Sequence, residues 1–168
     1  PRADRMSDPT DPTDPTAGGR TRGDEIALHA LLKLEFEAPE EGSGVAEVRM
    51  PVAPDAFGFT ANLHGGAIAT MVDLACALAA ARATDFDPYR QSLVTADMHV
   101  RYLGRPRTDT VIARAEVVRV GSQLIVVECK VRDEEGHVIA SADFSMMIVS
   151  LRRPLAPGIE TEPGDPEL

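Results

Sequence analysis

Residues 62–82 read NLHGGAIATMVDLACALAAAR, the longest helical pattern in the chain. The segment is rich in alanine, the strongest helix former, and has no glycine or proline after Gly66. Its apolar side chains recur every three or four residues, as on the buried face of a helix. They are Ile68, Met71, Val72, Ala75, Leu78 and Ala79. The pattern predicts one long buried helix, with Asn62 as its N-cap and two glycines that let other groups approach its first turn.

Asp73 is the only acidic residue inside this predicted helix. It lies two turns from the helix start, where a carboxylate neither caps the helix nor gains from its dipole. Its neighbours at three and four positions are all small, namely Ala69, Thr70, Cys76 and Ala77. A solvated Asp on an amphipathic helix is the simpler interpretation. The small neighbours and the shortage of other charges favour instead a carboxylate that other groups approach closely.

The distance between the helix start and this acid limits how the two can cooperate. Gly66 and Asp73 are seven residues apart, which is about 10 Å along a helix. An oxyanion donor must come within about 3 Å of the developing oxygen, and a base or nucleophile must be similarly close to the carbonyl carbon or its water. A single substrate carbonyl therefore cannot contact both the helix start and Asp73 of the same helix. Cooperation between them therefore predicts a composite site across a symmetric dimer interface.

The residues His64-Gly65-Gly66, followed by Asp73, resemble the signature of hotdog-fold acyl-CoA thioesterases of the phenylacetic-acid-degradation type. These enzymes belong to the 4-hydroxybenzoyl-CoA thioesterase superfamily, and the resemblance covers residues 26–149. It implies that the Gly65 N–H polarises a thioester carbonyl, with Gly66 beside the substrate. It also implies that Asp73 of the other subunit activates water or attacks directly, and that His64 positions the loop or the thioester.

Thr95 falls where relatives often carry a Ser or Thr that orients the attacking water. From the sequence alone, the simpler interpretation is that Thr95 is a residue with high β-propensity in a strand, without a role in orienting water. The chain departs from the family pattern ahead of the motif, because Gly58 stands where an Asn or Gln is usual and Ala61 where a Gly is usual. Asn62 is a candidate substitute for the missing amide. The departure leaves a non-catalytic acyl-CoA-binding protein of the same fold as the alternative to a hydrolase.

Further candidate substrate contacts lie on both sides of the helix. Phe57 and Phe59 flank Gly58 and predict the wall of an acyl pocket, with ordinary core packing as an equal alternative. The phosphates of coenzyme A need cations. Candidates are Arg101 near the end of a long predicted strand and Arg119 before a hairpin that the resemblance places near the nucleotide. That hairpin begins with Gly121-Ser122, and solubilising a loop is the simpler role for any single arginine.

Composition narrows the class of protein. The 168 residues correspond to one domain with a real core. The net charge of −10 argues against nucleic-acid binding, since no basic face or helix-turn-helix segment is present. No membrane span and no export signal are expected, which favours a cytoplasmic protein. The two cysteines lack metal-ligand spacing and read as small buried side chains, so neither a metal nor a redox cofactor is expected. A dehydratase with the hotdog fold is an alternative enzyme class. It would need a catalytic His with an acid in a different motif, and no such motif stands out in this sequence.

The chain divides into a tail at residues 1–23, a hotdog domain at residues 24–151 and an acidic, Pro-rich tail at residues 152–168. Within the domain the predicted elements are a helix at 25–33, strands at 34–37 and 45–51, the long helix, and strands at 92–103, 110–120, 123–133 and 138–149. This order predicts an α+β hotdog fold, in which a curved antiparallel sheet wraps around one central helix. Its exposed edges favour a homodimer or a dimer of dimers.

Alternation along the first strand after the helix predicts two distinct faces. One face carries Val94, Ala96, Met98, Val100 and Tyr102, and the other carries Leu93, Thr95, Asp97, His99 and Arg101. The four strands that follow the helix are expected to form an antiparallel meander.

Overall fold

The computed structural model describes residues 26–36, 40 and 42–152. Both predicted tails, at residues 1–23 and 152–168, lie outside this part of the chain except for Arg152. The elements in chain order are α1 (Ala27–Leu31), β1 (Glu35–Phe36), β2 (Val45–Pro51), a 3₁₀ turn (Pro54–Ala56), α2 (Gly65–Arg82), β3 (Gln91–Tyr102), β4 (Thr110–Val120), β5 (Ile125–Asp133) and β6 (Val138–Ser150). The predicted elements are confirmed in type and order, although α1 and β1 are shorter than predicted.

The strands form one antiparallel sheet in the order β1-β2-β4-β5-β6-β3, which curls around α2. Along β5 every second side chain is buried, since Ile125, Val127, Cys129 and Val131 face the helix. The predicted apolar face of α2 is buried against these side chains, with two differences. Leu78, which belongs to the predicted face, is only half-buried, and Cys76, which does not, is fully buried. The α+β architecture of a curved sheet around one central helix is therefore confirmed.

Alone among the described helices, α2 is long and apolar enough to cross a membrane by length and composition, with a mean hydropathy of 1.3. In this fold many of its apolar side chains belong to the protein core. The buried face of α2, which includes Met71, Val72 and Ala75, packs against the inside of the sheet. The hydropathy of α2 is therefore that of a core helix.

The expected meander is wrong in one respect, because β3 pairs with β6 and not with β4. The connection from β3 to β4 crosses the end of the sheet, where the Leu103 N–H donates to the Ile139 carbonyl. The buried Asp133 carboxylate holds this crossover by accepting hydrogen bonds from the backbone N–H groups of Arg107 (3.1 Å) and His137 (2.8 Å). The crossover leaves β4 free to pair with β2 and places β3 at an edge of the sheet.

The predicted alternation along β3 is also wrong, because the register shifts between Thr95 and Asp97. Thr95 lies opposite the buried Met146, whereas Asp97 lies opposite Ser145, so Ala96 is an extra residue in the strand. A bulge of this kind moves the following side chains to the other face. As a result Thr95 shares the helix-facing side of the sheet with Met98, Val100 and Tyr102, and Val94 faces outward opposite Met147.

Candidate active site

His64 is the N-cap of α2, which corrects the prediction that Asn62 caps the helix. The His64 Nδ1 accepts a hydrogen bond from the Gly66 N–H at 2.9 Å, while the Asn62 side chain donates to the Thr60 carbonyl instead. Because Nδ1 is the acceptor, the uncharged imidazole carries its proton on Nε2. His64 therefore orders the first turn and keeps a second ring nitrogen as a donor.

The two glycines of the motif each make room for an aromatic ring. A Cβ atom on Gly65 would lie 3.3 Å from Tyr102 Cζ, and one on Gly66 would lie 2.9 Å from His64 Nδ1. The Tyr102 hydroxyl also donates to the Gly65 carbonyl at 3.0 Å. Within the described residues, the Gly65 N–H meets no hydrogen-bond acceptor. The start of α2 thus presents an unpaired N–H group at the positive end of the helix dipole.

Tyr102 makes a contact at this site that the sequence analysis did not identify. It lies at the last position of β3, 37 residues from Gly65. In the sequence, the spacing of Tyr102 from Met98 and Val100 indicated only that the three residues share one face of a strand. No local pattern identifies a partner so far along the chain.

The two positions that depart from the family pattern have clear structural consequences. Ala61 adopts a φ of +52°, a left-handed conformation that glycine tolerates and alanine disfavours by about 1–2 kcal/mol. A Cβ atom on Gly58 would lie 3.3 Å from His64 Cδ2. A side chain at position 58 would be in tight contact with the imidazole, which would have to shift by a few tenths of an ångström.

Asp73 and Thr95 meet at the middle of α2. The Thr95 hydroxyl donates to Asp73 Oδ1 at 2.8 Å, which the bulge at Ala96 makes possible by turning Thr95 toward the helix. The half-buried carboxylate has no second hydrogen-bond donor among the described residues, so Oδ2 is free to accept a proton. One oxygen is fixed and the other is available, as a general base requires.

Cys76 lies one turn beyond Asp73 and is fully buried, as is Cys129 on β5 apart from a trace of exposure. A side-chain hydrogen bond with Cys129, burial and the nearby charge of Asp73 raise the pKa of the Cys76 thiol far above its usual range. A protonated, inaccessible thiol is a poor nucleophile. Both cysteines are therefore residues of the protein core.

A groove of about 330 Å³ opens beside the first turns of α2. Its lining residues are Leu28, Leu32, Asp55, Ala56, Phe57, His64, Gly66, Ala67 and Thr70. Phe57 thus lines a groove at the motif, whereas Phe59 is fully exposed and is not part of this lining. The groove brings α1 into contact with the site, which the sequence pattern of α1 did not indicate.

The candidate phosphate contacts lie apart from this groove. Arg101 pairs with Asp143 at 2.7 Å on the outer face of the sheet, and Arg119 is exposed near the end of β4. Gly121 and Ser122 form the predicted turn between β4 and β5, in which the Gly121 N–H donates to the Leu124 carbonyl. In the part of the chain that the structure describes, no three His, Cys, Asp or Glu side chains converge to hold a metal ion.

Comparison with solved structures identifies the architecture. The thioesterase HI1161 from Haemophilus influenzae has a TM-score of 0.65 at 22% identity, over 74% of this chain and 84% of that one. The BH2602 protein from Bacillus halodurans, solved with CoA, has a TM-score of 0.64 at 28% identity, over 75% and 78% of the two chains. The chain has the hotdog fold. Residues 60–140, which include both Gly65 and Asp73, match the family model of the Thioesterase superfamily.

Two curated relatives each match about half of the chain or less. The medium/long-chain acyl-CoA thioesterase YigI of Escherichia coli is 32% identical over 96 residues, which is 51% of this chain and 62% of YigI. The VNG_1336C protein of Halobacterium salinarum is 43% identical over 70 residues, which is 42% of this chain and 45% of that protein. The chain thus matches about half the length of these relatives.

Proposed function

We propose that this protein hydrolyses an acyl-CoA thioester to a free acid and CoA. The observation that carries the proposal is the Asp73 carboxylate, with Oδ1 held by the Thr95 hydroxyl and Oδ2 free to accept a proton. The unpaired Gly65 N–H supplies the second element of acyl transfer, an oxyanion donor at a helix start. The spacing of His64-Gly65-Gly66 to Asp73 supports an enzyme of the phenylacetic-acid-degradation type.

In the proposed reaction the Gly65 N–H donates to the thioester oxygen. Asp73 takes a proton from water as the water oxygen attacks the carbonyl carbon, and collapse of the intermediate breaks the C–S bond. The proton held by Asp73 then passes to the departing CoA thiolate. Direct attack by the Asp73 carboxylate, followed by hydrolysis of the resulting anhydride, is the alternative course. Asp73, Gly65 and water suffice for either course.

We further propose that the site is completed by a second copy of the chain. Gly65 and Asp73 of one helix are eight residues apart, or about 12 Å, so they cannot act on one carbonyl. Strand β3 contacts both features, since Tyr102 touches Gly65 and Thr95 touches Asp73. Among the described strands only β6 pairs with β3, and the free edge exposes Val94, Met98 and Tyr102. An exposed apolar edge of this kind favours pairing with another strand.

Antiparallel pairing of two β3 strands about a two-fold axis near Met98 would set Thr95 opposite Tyr102 of the partner subunit. Because Thr95 contacts Asp73 and Tyr102 contacts Gly65, the same pairing brings Asp73 toward Gly65 of the partner subunit. Each dimer would then hold two equivalent sites. The dimer satisfies the distance requirement that a single chain cannot meet.

Release of free thiol from a panel of aromatic and straight-chain acyl-CoAs tests the proposed activity. We expect turnover by the wild-type protein with at least one ester. The presence of CoA in BH2602 and the substrate named for YigI support the choice of esters. Binding of CoA esters without turnover would overturn the hydrolase proposal in favour of a non-catalytic acyl-CoA-binding protein.

Thr95→Val is expected to lower kcat by about tenfold, because a hydrogen bond to a charged group contributes about 1.5–3 kcal/mol and Asp73 would lose its only described donor. Valine keeps the shape and the strand preference of threonine. Steady-state thiol release should show the loss in kcat with little change in KM. Thr95→Ser, which keeps the hydroxyl, should retain most activity. Full kcat in Thr95→Val would contradict the role given to this hydroxyl.

Met98→Lys is expected to dissociate the dimer and abolish turnover, because two ammonium groups would meet near the proposed axis. Light scattering after size-exclusion chromatography measures the first effect, and thiol release measures the second. Phe36→Lys is the matched control, since Phe36 is an exposed apolar residue on β1 at the opposite edge of the sheet. An active, monomeric Met98→Lys protein would rule out the composite site.

A further inference from the structure

We propose that the groove between α1 and the start of α2 binds the acyl group, and that it selects an uncharged, apolar chain. This inference rests on the proposed thioesterase function and names its substrate class. The groove begins at the reaction centre, because His64 and Gly66 belong both to its lining and to the turn that presents the Gly65 N–H. An acyl chain whose carbonyl oxygen binds that N–H therefore has the groove immediately beside it.

Most of the groove wall is apolar. Leu28 and Leu32 of α1 form one side, Ala67 of α2 forms another, and Ala56 and Phe57 from the preceding loop complete it. Leu28 is 49% exposed, so the open groove leaves apolar surface of this side chain in contact with water. A bound hydrocarbon chain would cover this side chain and remove its apolar surface from water.

The polar side chains of the lining already have partners. The Thr70 hydroxyl donates to the Gly66 carbonyl at 2.9 Å, within its own helix. The Asp55 carboxylate pairs with Lys33 Nζ at 2.9 Å, so its charge is matched. Among the side chains that line the groove, His64 alone keeps an uncommitted donor, and it lies at the end next to Gly66. The rest of the groove therefore offers no free side-chain donor to a carboxylate at the end of an acyl chain.

The size of the groove fits a single chain. Its volume of about 330 Å³ is at the low end of small-molecule pockets, which span about 300–1,000 Å³. Each methylene group buried from water contributes about 0.8 kcal/mol, which corresponds to about a fourfold gain in kcat/KM. The reaction rate should therefore rise steeply with chain length until the groove is full.

Leu28→Trp tests the assignment, because the indole would fill the groove from the α1 side. With a graded series of saturated acyl-CoAs, we expect the wild-type kcat/KM to rise by up to about fourfold per methylene. In Leu28→Trp the rise should stop at a shorter chain, so the loss in kcat/KM relative to the wild-type protein should grow with the length of the acyl chain. An ester with a terminal carboxylate should react at least about tenfold more slowly than the apolar ester of equal length.

Leu31→Trp is the matched control, since Leu31 lies on the same helix, is exposed and does not line the groove. Its chain-length profile should match that of the wild-type protein. Equal losses for all esters in Leu28→Trp, or the same profile change in Leu31→Trp, would overturn the acyl-groove assignment and leave the thioesterase proposal standing. Absence of thiol release from every ester by the wild-type protein would instead overturn the thioesterase proposal, and this inference with it.

Discussion

Asp73→Asn is expected to reduce kcat for thioester hydrolysis by about 10²–10⁴-fold, the usual contribution of a general base. The amide has the same shape and can still accept the hydrogen bond from Thr95, but it cannot take a proton from water. The fold should be unaffected, since the side chain is only half-buried and makes no other described hydrogen bond. Thiol release measures the loss, and urea denaturation checks that stability is retained.

Glu116→Gln makes the same change from carboxylate to amide and is the control for this substitution. Glu116 lies on β4, away from the β3 edge, and its carboxylate is exposed on the outer face of the sheet. Its loss should leave kcat within about twofold, as is usual for surface substitutions away from a site. Near-normal turnover by Asp73→Asn, or an equal loss in both variants, would remove Asp73 from the mechanism.

A single turnover in water labelled with oxygen-18 separates the two possible roles of Asp73. If Asp73 activates water, the label appears in the product acid and the Asp73 carboxylate stays unlabelled. If Asp73 attacks the carbonyl carbon, water hydrolyses an anhydride and the label can enter the Asp73 side chain. Mass spectrometry of the peptide that contains Asp73 distinguishes the two outcomes.

The sequence was sufficient to predict the central helix because its signals are local. Alanine content and three-and-four spacing define α2, and its span of Gly65–Arg82 agrees with the predicted helix. Residue preferences alone favoured Asn62 as the N-cap of α2. In the structure His64 is the N-cap, and its ring lies beside Gly58. The space that glycines leave for a neighbouring ring is a tertiary property, so the sequence alone could not assign the cap.

The strand faces show a second limit of sequence patterns. Strict alternation placed Thr95 on the face opposite Met98, yet the extra residue at Ala96 brings both onto the helix side. No residue in this stretch is a glycine or another marker that would reveal the bulge. The contact between Thr95 and Asp73 depends entirely on that bulge, so the strand face of this candidate residue was predicted wrongly.

The pairing of β3 with β6 is a long-range property that neither strand encodes by itself. Both strands have regular patterns, and a chain-order meander is the simplest way to connect them. The crossover is stabilised by the buried Asp133 carboxylate, whose partners Arg107 and His137 lie outside both strands. The edge position of β3 therefore follows from contacts distant in sequence, as does the contact of Tyr102 with Gly65.

Gly65→Pro is expected to lower kcat by about 10²–10³-fold, the loss measured when one oxyanion donor is removed. Proline is compatible with the first position of a helix, where its missing N–H breaks no helical hydrogen bond. His64 precedes it with φ −66° and ψ 136°, a conformation that residues before proline prefer. Gly65→Ala is the control, because it adds the same Cβ atom near Tyr102 but keeps the N–H. Equal losses in the two variants would attribute the effect to crowding of Tyr102.

A heterodimer of one Asp73→Asn chain and one Gly65→Pro chain distinguishes a composite site from two sites that each lie within one chain. If each site takes Asp73 from one subunit and the Gly65 N–H from the other, a heterodimer of the two inactive chains contains one intact site and one doubly defective site. Its turnover should return to about half that of the wild-type dimer. Co-expression with two different tags and sequential purification yields this heterodimer for a thiol-release assay. If both groups acted within one chain, every site would carry a defect, and the heterodimer would be as inactive as its parents.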